Sequence, residues 1–348
     1  MEALAAALGC APSAVTHAVR LEGGQSNFAW RCAVACDPGR EFVVRLHGAG
    51  TAVLTDRGRE QRVLHVLHTH GLSGCLATFD GGHVAEYLPG RALSRPEMAE
   101  RQTGERIAAA LARLHAVPVP ADDSGLQAPT LGARGTLRRW LSAARTAGGA
   151  VDEGLLDAVA ERTEALEAAV EECSTRSYAD RWAFGLCGLC HNDATEGNVL
   201  LDDASGALHL IDWEHAGVNA VAFELGNFFC QLMAAPAFEP ASYPPRSVRA
   251  AFVDDYLHAR ADVAREARDE KADEATVAGG AAALLAAADA YSLASHLQWA
   301  AWCAVQAALS RGIDYDFDGC AHNLLACHDA RRQEAFRATL VSASPDSG

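Results

Sequence analysis

The order of apolar and polar positions divides the chain into a β-rich first part and a largely helical remainder. Residues 41–46 form a strand pattern that contains β-branched side chains. Residues 56–70 repeat their apolar side chains at helical spacing instead. Two further strand patterns, 75–79 and 83–88, flank a turn sequence at 80–82 and predict a hairpin. The first ninety or so residues are therefore expected to form a small β-rich lobe.

Beyond the turn signal Pro89-Gly90 the pattern changes to long helical repeats. A helix is predicted from Pro96, with Ile107, Leu111 and Leu114 on one face. We place a domain boundary here, with an N-terminal lobe at 1–90 and a C-terminal lobe at 91–348. Within the second lobe we expect a loop at 144–151, a helix at 152–172, two strands leading into the motifs described below, Ala-rich helices over 221–340 with a charged helix or loop at 260–280, and a frayed tail at 342–348.

The composition indicates a cytoplasmic protein without a membrane span. Half of the 348 residues are hydrophobic, enough for a large core, yet no uninterrupted apolar run reaches about 18 residues. The eleven cysteines are scattered, and the start MEALAAALGC lacks the basic region of a secretory signal, so we expect reduced thiols. The net charge of −16 argues against nucleic-acid binding and modestly favours a cationic substrate, although solubility explains it more simply.

Most of the candidate catalytic residues lie in the sequence HNDATEGN at 191–198 and in DWE at 212–214, which follows an apolar run. Phosphoryl transfer from ATP needs one carboxylate to orient and deprotonate the attacking hydroxyl, and an Asn and a second carboxylate to hold Mg²⁺. Asp193 has the spacing of the first group, and Asn198 and Asp212 have the spacing of the other two. Ordinary turn chemistry, in which Asn and Asp bond their own backbone, is the simpler alternative, but it has to explain both motifs at once.

A second pattern, CGLCH at 187–191, overlaps the first and has the spacing of haem c attachment. Such attachment is not expected in a cytoplasmic protein, and a zinc site would need two further ligands, for which the sequence offers no second C-x-x-C. We therefore expect Cys187 and Cys190 to be small buried residues on the strand before the catalytic loop, without haem or metal.

The layout and motifs together resemble the choline/ethanolamine kinases over roughly residues 20–330, interrupted by the middle helices. The clearest parts are CHNDATEGN at 190–198, IDWEHAGVN at 211–219 and FELGNFFC at 223–230. The others are EGGQSN at 22–27, VRLHG at 44–48, DR at 56–57, EY at 86–87, LARLH at 111–115, HLQWAAW at 296–302 and QA at 306–307. The resemblance implies an α+β, protein-kinase-like fold of two lobes, a small β-rich N-terminal lobe and a larger, mainly helical C-terminal lobe.

The resemblance also implies an ATP site and a set of catalytic roles. The loop over the phosphates would consist of Gly23, Gly24, Ser26 and Asn27. Arg45 and Glu60 would pair and clamp the phosphates, and the hinge from Glu86 through Leu88 to Pro89 would bind adenine. Asp193 would be the base, with His191 supporting the loop backbone. Asn198 and Asp212 would bind Mg²⁺, with Glu214 as a further metal or substrate group.

The amine site is predicted around Trp299 and Trp302, which share a helix face at i, i+3 spacing. Two indole faces and a carboxylate attract an ammonium ion, although a Trp pair alone is more typical of a core. Gln231 would contact the substrate. It stands with Leu232 where relatives commonly have Glu and an aromatic residue, and Cys320 replaces an expected tyrosine, so the cage is expected to be thin.

These features predict ATP- and Mg²⁺-dependent phosphorylation of the hydroxyl of ethanolamine, with overlapping use of choline. The stretches 56–60, 214–219 and 313–319 resemble ethanolamine kinases most. The reaction would be the first step of phosphatidylethanolamine and phosphatidylcholine synthesis. The alternatives are a choline kinase proper, an aminoglycoside or sugar phosphotransferase and, remotely, a non-catalytic binding module. The expected partner is a small cationic amino alcohol, with neither nucleic acid nor an integral membrane, in a monomer or homodimer.

Overall fold

The computed structural model describes residues 1–21, 27–48, 51–119, 123–133, 135–147, 152–233, 238–267, 280–309 and 314–341. Its strands are β1 (Val15–Leu21), β2 (Asn27–Val34), β3 (Glu41–His47), β4 (Cys75–Phe79), β5 (Gly82–Glu86), β6 (Arg91–Ala92), β7 (Cys187–Cys190), β8 (Val199–Leu201), β9 (Leu208–Leu210) and β10 (Gly217–Ala220). Its helices are α1 (Glu2–Ala7), α2 (Arg57–Thr69), α3 (Arg95–Ala99), α4 (Arg101–His115), α5 (Thr136–Thr146), α6 (Glu153–Thr175), α7 (Tyr178–Gly185), α8 (Val221–Gln231), α9 (Arg246–Ala267), α10 (Ala281–Leu309) and α11 (Phe317–Val341).

An antiparallel sheet in the order β1-β2-β3-β5-β4 forms the β-rich first part. Successive side chains of a strand point to opposite faces, and on β3 Phe42 and Val44 are buried while their neighbours are not. They lie in a small core with Val84 of β5 and Leu4 of α1. The predicted hairpin is confirmed, with Gly81 at φ +86° in its turn, a conformation that suits glycine.

Helix α2 confirms the helix predicted at 56–70. The carboxylate of Asp56 accepts a hydrogen bond from the backbone N–H of Arg59 at 3.0 Å and so caps the first turn. The apolar residues Val63, Leu64 and Leu67 are buried and belong to the same hydrophobic core as the helical remainder of the chain. Helix α2 therefore ties the sheet to the larger part of the molecule.

The larger core surrounds α10, which has 29 residues and is almost entirely buried. Its many alanines let α5, α8 and α11 approach closely. At the contact with α8, a Cβ on Gly226 would stand 2.3 Å from the carbonyl oxygen of Ala288, so only glycine fits there. The small residues of this Ala-rich region thus serve helix packing.

The helical part differs from the prediction in two places. The single helix expected from Pro96 is wrong, because Glu100 has an extended backbone with ψ 139° that separates α3 from α4. Ser94 and Glu97 form a capping box at the start of the short α3. Helix α7 was not expected.

Elsewhere the predicted boundaries shift by a few residues or leave the described part of the chain. Helix α5 was not expected, and because it extends to Thr146 the loop predicted at 144–151 is wrong over its first three residues. Helix α6 confirms the helix at 152–172, and α9 ends at Ala267. Residues 148–151, 268–279 and 342–348, which include parts of the predicted loops and tail, lie outside the described residues. The predicted lobe boundary at 90 and 91 stays a prediction.

Two small antiparallel arrangements, β7 with β10 and β6-β8-β9, lie within the helical part and position the candidate motifs. Strand β7 ends at Cys190, directly before the segment 191–198, and β9 ends at Leu210, two residues before Asp212. The α+β class is confirmed. None of the helices within the described ranges is long and apolar enough to cross a membrane.

Candidate active site

Two positions with positive φ orient the candidate catalytic carboxylates. Asn192, directly before Asp193, has φ 64°, and Asp212 has φ 66° and ψ 69°. Residues other than glycine rarely adopt this left-handed conformation, and Asn and Asp tolerate it best. Such a residue costs of order 1–3 kcal/mol and persists only where its surroundings hold it. The contacts of these two segments are therefore central to the site.

Asp193 and Asn198 contact each other directly. Nδ2 of Asn198 donates to the backbone oxygen of Asp193 at 2.9 Å and to its Oδ2 at 3.0 Å. Burial raises the pKa of Asp193 well above its usual value, and the negative charges of Asp212 and Glu214 raise it further. The structure thus brings three carboxylates and one amide together, as the sequence motifs predicted.

His191 joins the two candidate segments. Its Nε2–H donates to the carbonyl oxygen of Ile211 at 2.8 Å, and its ring centroid lies 4.7 Å from that of Trp213. The residue is fully buried. These contacts agree with the predicted role of His191, which is to support the loop backbone.

Sequence reasoning gave no role to Glu224, which holds the catalytic loop from behind. Its Oε2 accepts the backbone N–H of His191 at 2.6 Å, and its Oε1 accepts the backbone N–H of Asn192 at 2.8 Å. Nε2 of His115 lies 3.3 Å from Oε2. Glu224 was visible in the sequence as a lone acid within the apolar run 221–230, where a buried charge needs such partners.

Two further asparagines hold Asn192 in its strained conformation. Nδ2 of Asn219 donates to Oδ1 of Asn192 at 2.8 Å, and Nδ2 of Asn227 donates to its backbone oxygen at 3.2 Å. Oδ1 of Asn227 also accepts from Nε1 of Trp299 at 2.8 Å. The orientation of one predicted amine-binding indole is therefore coupled to the backbone next to Asp193.

Arg45 and Glu60 are paired differently from the prediction. Nη2 of Arg45 donates to Oδ1 of Asp212 at 2.6 Å. Glu60 instead accepts from Nη1 of Arg57 at 2.7 Å, one turn away on α2, and lies 3.5 Å from His47. The predicted Arg45–Glu60 pair is therefore not formed in the structure, where Arg45 binds Asp212 and Arg57 binds Oε2 of Glu60.

Glu214, predicted as a further metal or substrate group, contacts residues of the β-rich part. Its Oε2 accepts from Nδ2 of Asn27 at 3.0 Å, from Nη1 of Arg57 at 3.3 Å and from Oγ1 of Thr55 at 3.4 Å. Nη2 of Arg57 also donates to Oδ1 of Asn27 at 3.1 Å. This network connects the DWE segment to the start of β2.

The predicted hinge differs along its length in how its backbone N–H groups are bonded to other described residues. The N–H of Glu86 donates to the carbonyl of Gly74 at 2.8 Å, and the N–H of Tyr87 donates to that of Glu41 at 2.9 Å. Pro89 has no N–H, so within the described chain Leu88 is the hinge residue whose N–H forms no backbone hydrogen bond. The predicted phosphate-loop residues Gly23, Gly24 and Ser26 lie outside the described residues.

A cavity of about 230 Å³ opens beside Asp193. Gln231, Trp299 and Trp302 line it, as predicted for the amine site, whereas Glu214 does not. The two indoles meet edge to face at 5.9 Å and 72°. Sequence reasoning missed Tyr315, which also lines the cavity. Its hydroxyl donates to Sγ of Cys320 at 3.4 Å, so a tyrosine stands beside the position where one was thought to be lost.

Comparison with known proteins identifies the family. The family model for choline/ethanolamine kinase matches residues 18–329. This chain belongs to the choline/ethanolamine kinase family. Ethanolamine kinase 2 of Rattus norvegicus is 29% identical over 301 residues, covering 86% of this chain and 71% of that protein. Probable choline kinase 1 of Arabidopsis thaliana is 26% identical over 310 residues, covering 86% and 82%.

Solved structures confirm the protein-kinase-like fold of this family member. The choline kinase from Cryptosporidium parvum Iowa II has a TM-score of 0.73 at 18% identity, covering 96% of this chain and 93% of that one. A putative aminoglycoside phosphotransferase from Ralstonia eutropha has a TM-score of 0.55 at 15% identity, covering 97% and 98%. These likenesses show the fold, which kinases of different small molecules share.

Cys187 and Cys190 lie on β7 of this kinase, as expected, but only Cys190 is buried. The expectation that both are buried is wrong, because residues three apart on a strand point to opposite faces. Sγ of Cys190 faces the carbonyl oxygens of Gly188 and Asn219 at 3.5 and 3.7 Å. It also lies near His115 and Glu224. The contact between His115 and Glu224, and the hydrogen bonds of Glu224 to the backbone of His191 and Asn192, already account for that cluster.

The kinase has a larger cavity, of about 440 Å³, beside residues of the predicted hinge. Glu86 and Leu88 line it together with Arg113 of α4 and His209 of β9. Its lining contains neither Asp193 nor the Trp pair. It is therefore separate from the candidate amine site.

Proposed function

We propose that this protein transfers the γ-phosphoryl group of ATP to the hydroxyl of ethanolamine and so forms phosphoethanolamine. The observation that carries the proposal is the shared cavity, in which Asp193 stands with Trp299 and Trp302. The aromatic faces attract the ammonium end of an amino alcohol. The hydroxyl at the other end of so short a molecule would then reach Asp193.

Asp193 is the proposed base. A general base works best when its pKa lies closer to the working pH than that of a free carboxylate. Burial and the neighbouring carboxylates raise the pKa of Asp193 in this direction. The hydrogen bond from Nδ2 of Asn198 to Oδ2 fixes the carboxylate of Asp193. This carboxylate would then accept the proton of the substrate hydroxyl.

Mg²⁺ is the proposed metal, and the donor set fits it. The negative charges of Asp212 and Glu214 raise the pKa of Asp193, and a cation bound beside these carboxylates would offset that repulsion. Asn198, Asp212 and Glu214 would hold the ion through oxygen atoms, the ligands that Mg²⁺ prefers. When bound, the ion would neutralise charge on the phosphates. Arg45, already bonded to Asp212, would lie on the same side of the cleft.

The nucleotide is proposed to lie between the hinge and these carboxylates. The N–H of Leu88 would bind adenine, and Glu86 would provide the neighbouring carbonyl. Gly23, Gly24, Ser26 and Asn27 would close over the phosphates, where backbone N–H groups can donate to anionic oxygens. Glu60 would act through Arg57 rather than through Arg45, since Arg57 is its partner.

Choline is the second candidate substrate, and Tyr315 is the observation that favours it. Choline has no N–H donor and depends on aromatic faces and negative charge, whereas ethanolamine has three donors for oxygen acceptors. Asp193 is the one carboxylate among the described residues that line the cavity, and Gln231 offers an amide oxygen. Because the cavity offers oxygen acceptors for the N–H donors of ethanolamine and a single carboxylate among its described lining residues, we keep ethanolamine as the preferred substrate.

We place the reaction in the cytoplasm, as a first step of phospholipid headgroup synthesis. The eleven cysteines, all free thiols, support a reducing compartment.

A substrate panel tests the proposal. ADP release is measured with ethanolamine, choline and an aminoglycoside, and the products are identified by mass spectrometry. We expect both amines to be phosphorylated, with the higher kcat/KM for ethanolamine, and no aminoglycoside product. A higher kcat/KM for choline would reverse the preference, and ADP release with the aminoglycoside alone would refute the proposal.

A further inference from the structure

Two cysteine thiols meet in the wall of the proposed amine cavity. Cys303 on α10 and Cys320 on α11 both line it, with their Sγ atoms 3.4 Å apart. Both residues are almost fully buried, at 3% and 4% exposure, so the cavity is the direct route for a small reagent to reach them. Neither thiol has a role in the proposed transfer.

The surroundings favour a negative charge on one of the two sulfurs. The S–H of Cys303 and the O–H of Tyr315 both donate to Sγ of Cys320. These hydrogen bonds lower the pKa of Cys320 to about 7, although burial opposes the shift. The hydrogen bond to Cys320, together with burial, raises the pKa of Cys303, and burial, together with the hydrogen bond to Cys320, raises that of Tyr315. A thiolate is the nucleophilic form of cysteine, so Cys320 is the reactive member and Cys303 is placed to resolve it.

We propose that Cys303 and Cys320 form an oxidisable pair, which a small hydroperoxide converts to a disulfide that weakens amine binding. The proposal rests on the proposed function for the identity of the amine. Cytosolic disulfides are usually transient and redox-sensing, in agreement with a pair that is reduced in the resting protein.

The chemistry balances in two steps. The Cys320 thiolate attacks one oxygen of hydrogen peroxide, an S–O bond forms, the O–O bond breaks, and hydroxide leaves. The sulfur of Cys303 then attacks that of Cys320, an S–S bond forms and the S–O bond breaks. The second hydroxide takes the proton of Cys303 and leaves as water, and the first hydroxide takes up the proton that Cys320 released when it ionised. The two sulfurs together lose two electrons, and the peroxide is reduced to two molecules of water.

The disulfide would change the cavity through two neighbours. An S–S bond is about 2.05 Å long, so the two sulfurs must approach by more than 1 Å. Trp302 directly precedes Cys303 and would move with it. Tyr315 would lose the thiolate that accepts the hydrogen bond of its hydroxyl group. The amine then loses aromatic contact, whereas Leu88 and Arg45, proposed for ATP, lie on other elements.

Peroxide titration of the full-length protein tests the proposal. Free thiols are blocked after each addition and the peptides are mapped by mass spectrometry. We expect a Cys303–Cys320 linked peptide that a thiol reductant removes and that saturating ethanolamine suppresses. The KM for ethanolamine should rise about 3- to 10-fold on oxidation, the contribution of one aromatic face, with the KM for ATP unchanged.

The Cys303→Ser and Cys320→Ser variants are the controls, with circular dichroism to verify their folding. In each, peroxide should leave the KM for ethanolamine unchanged. A lack of the linked peptide at peroxide levels that oxidise the exposed Cys187 would overturn the proposal, as would an equal rise of KM in the variants. Formation of the linked peptide is measured without turnover. If the peptide forms in a protein that does not phosphorylate ethanolamine, the proposed function is refuted and the proposal of an oxidisable pair still stands.

Discussion

Replacing Glu224 by Gln should weaken both the fold and catalysis, although Glu224 does not line the cavity. In the wild type, two buried backbone N–H groups, those of His191 and Asn192, each donate to a different carboxylate oxygen. An amide has one oxygen and one NH₂ group. In either orientation of the Gln side chain, the NH₂ group therefore faces one of these two donors.

The expected cost follows from this mismatch. One buried donor without an acceptor costs about 1–3 kcal/mol, and the remaining hydrogen bond loses its charge assistance. Against a typical stability of about 5–15 kcal/mol, such a loss is readily measured. Because Asn192 precedes Asp193, a displacement of the base of the order of 1 Å would also lower kcat by up to about 10²-fold.

The measurement is urea unfolding and steady-state kinetics of Glu224→Gln beside Glu171→Gln, a matched change at an exposed position of α6. We expect a lower free energy of unfolding and a lower kcat in the first variant alone. Equal stability and equal kcat in the two variants would show that Glu224 does not hold the loop.

The pH dependence provides a second test of Glu224. Burial alone would raise its pKa, but the contacts with His115 and His191 bring it below the usual value of 4.5. A carboxyl whose pKa is lowered in the folded state stabilises the protein above its unfolded pKa, and this stability is lost as the pH falls through the folded value. The wild type should therefore lose more stability below about pH 4.5 than Glu224→Gln. Parallel stability profiles for the two proteins would contradict this assignment.

Three further changes test other parts of the site. Asp212→Ala should abolish the Mg²⁺-supported activity, and an unchanged Mg²⁺ titration would remove Asp212 from the proposed ligands. Trp302→Ala should reduce kcat/KM for choline more than for ethanolamine, because only choline lacks hydrogen-bonding alternatives, and equal losses would argue against a cation-binding role. The double variant Cys187→Ala, Cys190→Ala should stay active, and stoichiometric zinc or iron in the wild type by elemental analysis would overturn the assignment of these cysteines as structural.

Local spacing was sufficient to predict much of the fold and the acidic centre of the site. The hairpin and α2 follow from turn chemistry and helical periodicity, and Asp193, Asn198 and Asp212 come together because short strands end directly before their segments. The break at Glu100 was missed because the helical pattern continues past it and Glu100 makes no side-chain cap hydrogen bond at the start of α4. Helix α7 is short and lies beyond the predicted end of the helix at 152–172.

The missed residues depend on contacts between distant segments. Glu224 acquires its role only when α8 passes behind the catalytic loop, 33 positions from His191. Arg45 and Glu60 could be matched by resemblance, but their partners depend on Arg57, whose reach the sequence does not reveal. Tyr315 lines the cavity but lies five positions before Cys320 in the sequence. A comparison restricted to position 320 could therefore not identify Tyr315.

The assignment of Asp193 as the base is tested most directly by Asp193→Asn, compared with the surface change Asp203→Asn. Nucleotide affinity is measured by calorimetry and phosphoethanolamine formation by mass spectrometry. We expect Asp193→Asn to retain its fold and ATP affinity but to lose about 10²- to 10⁴-fold in kcat, while Asp203→Asn behaves as the wild type. Near-wild-type turnover by Asp193→Asn would show that Asp193 is not the base.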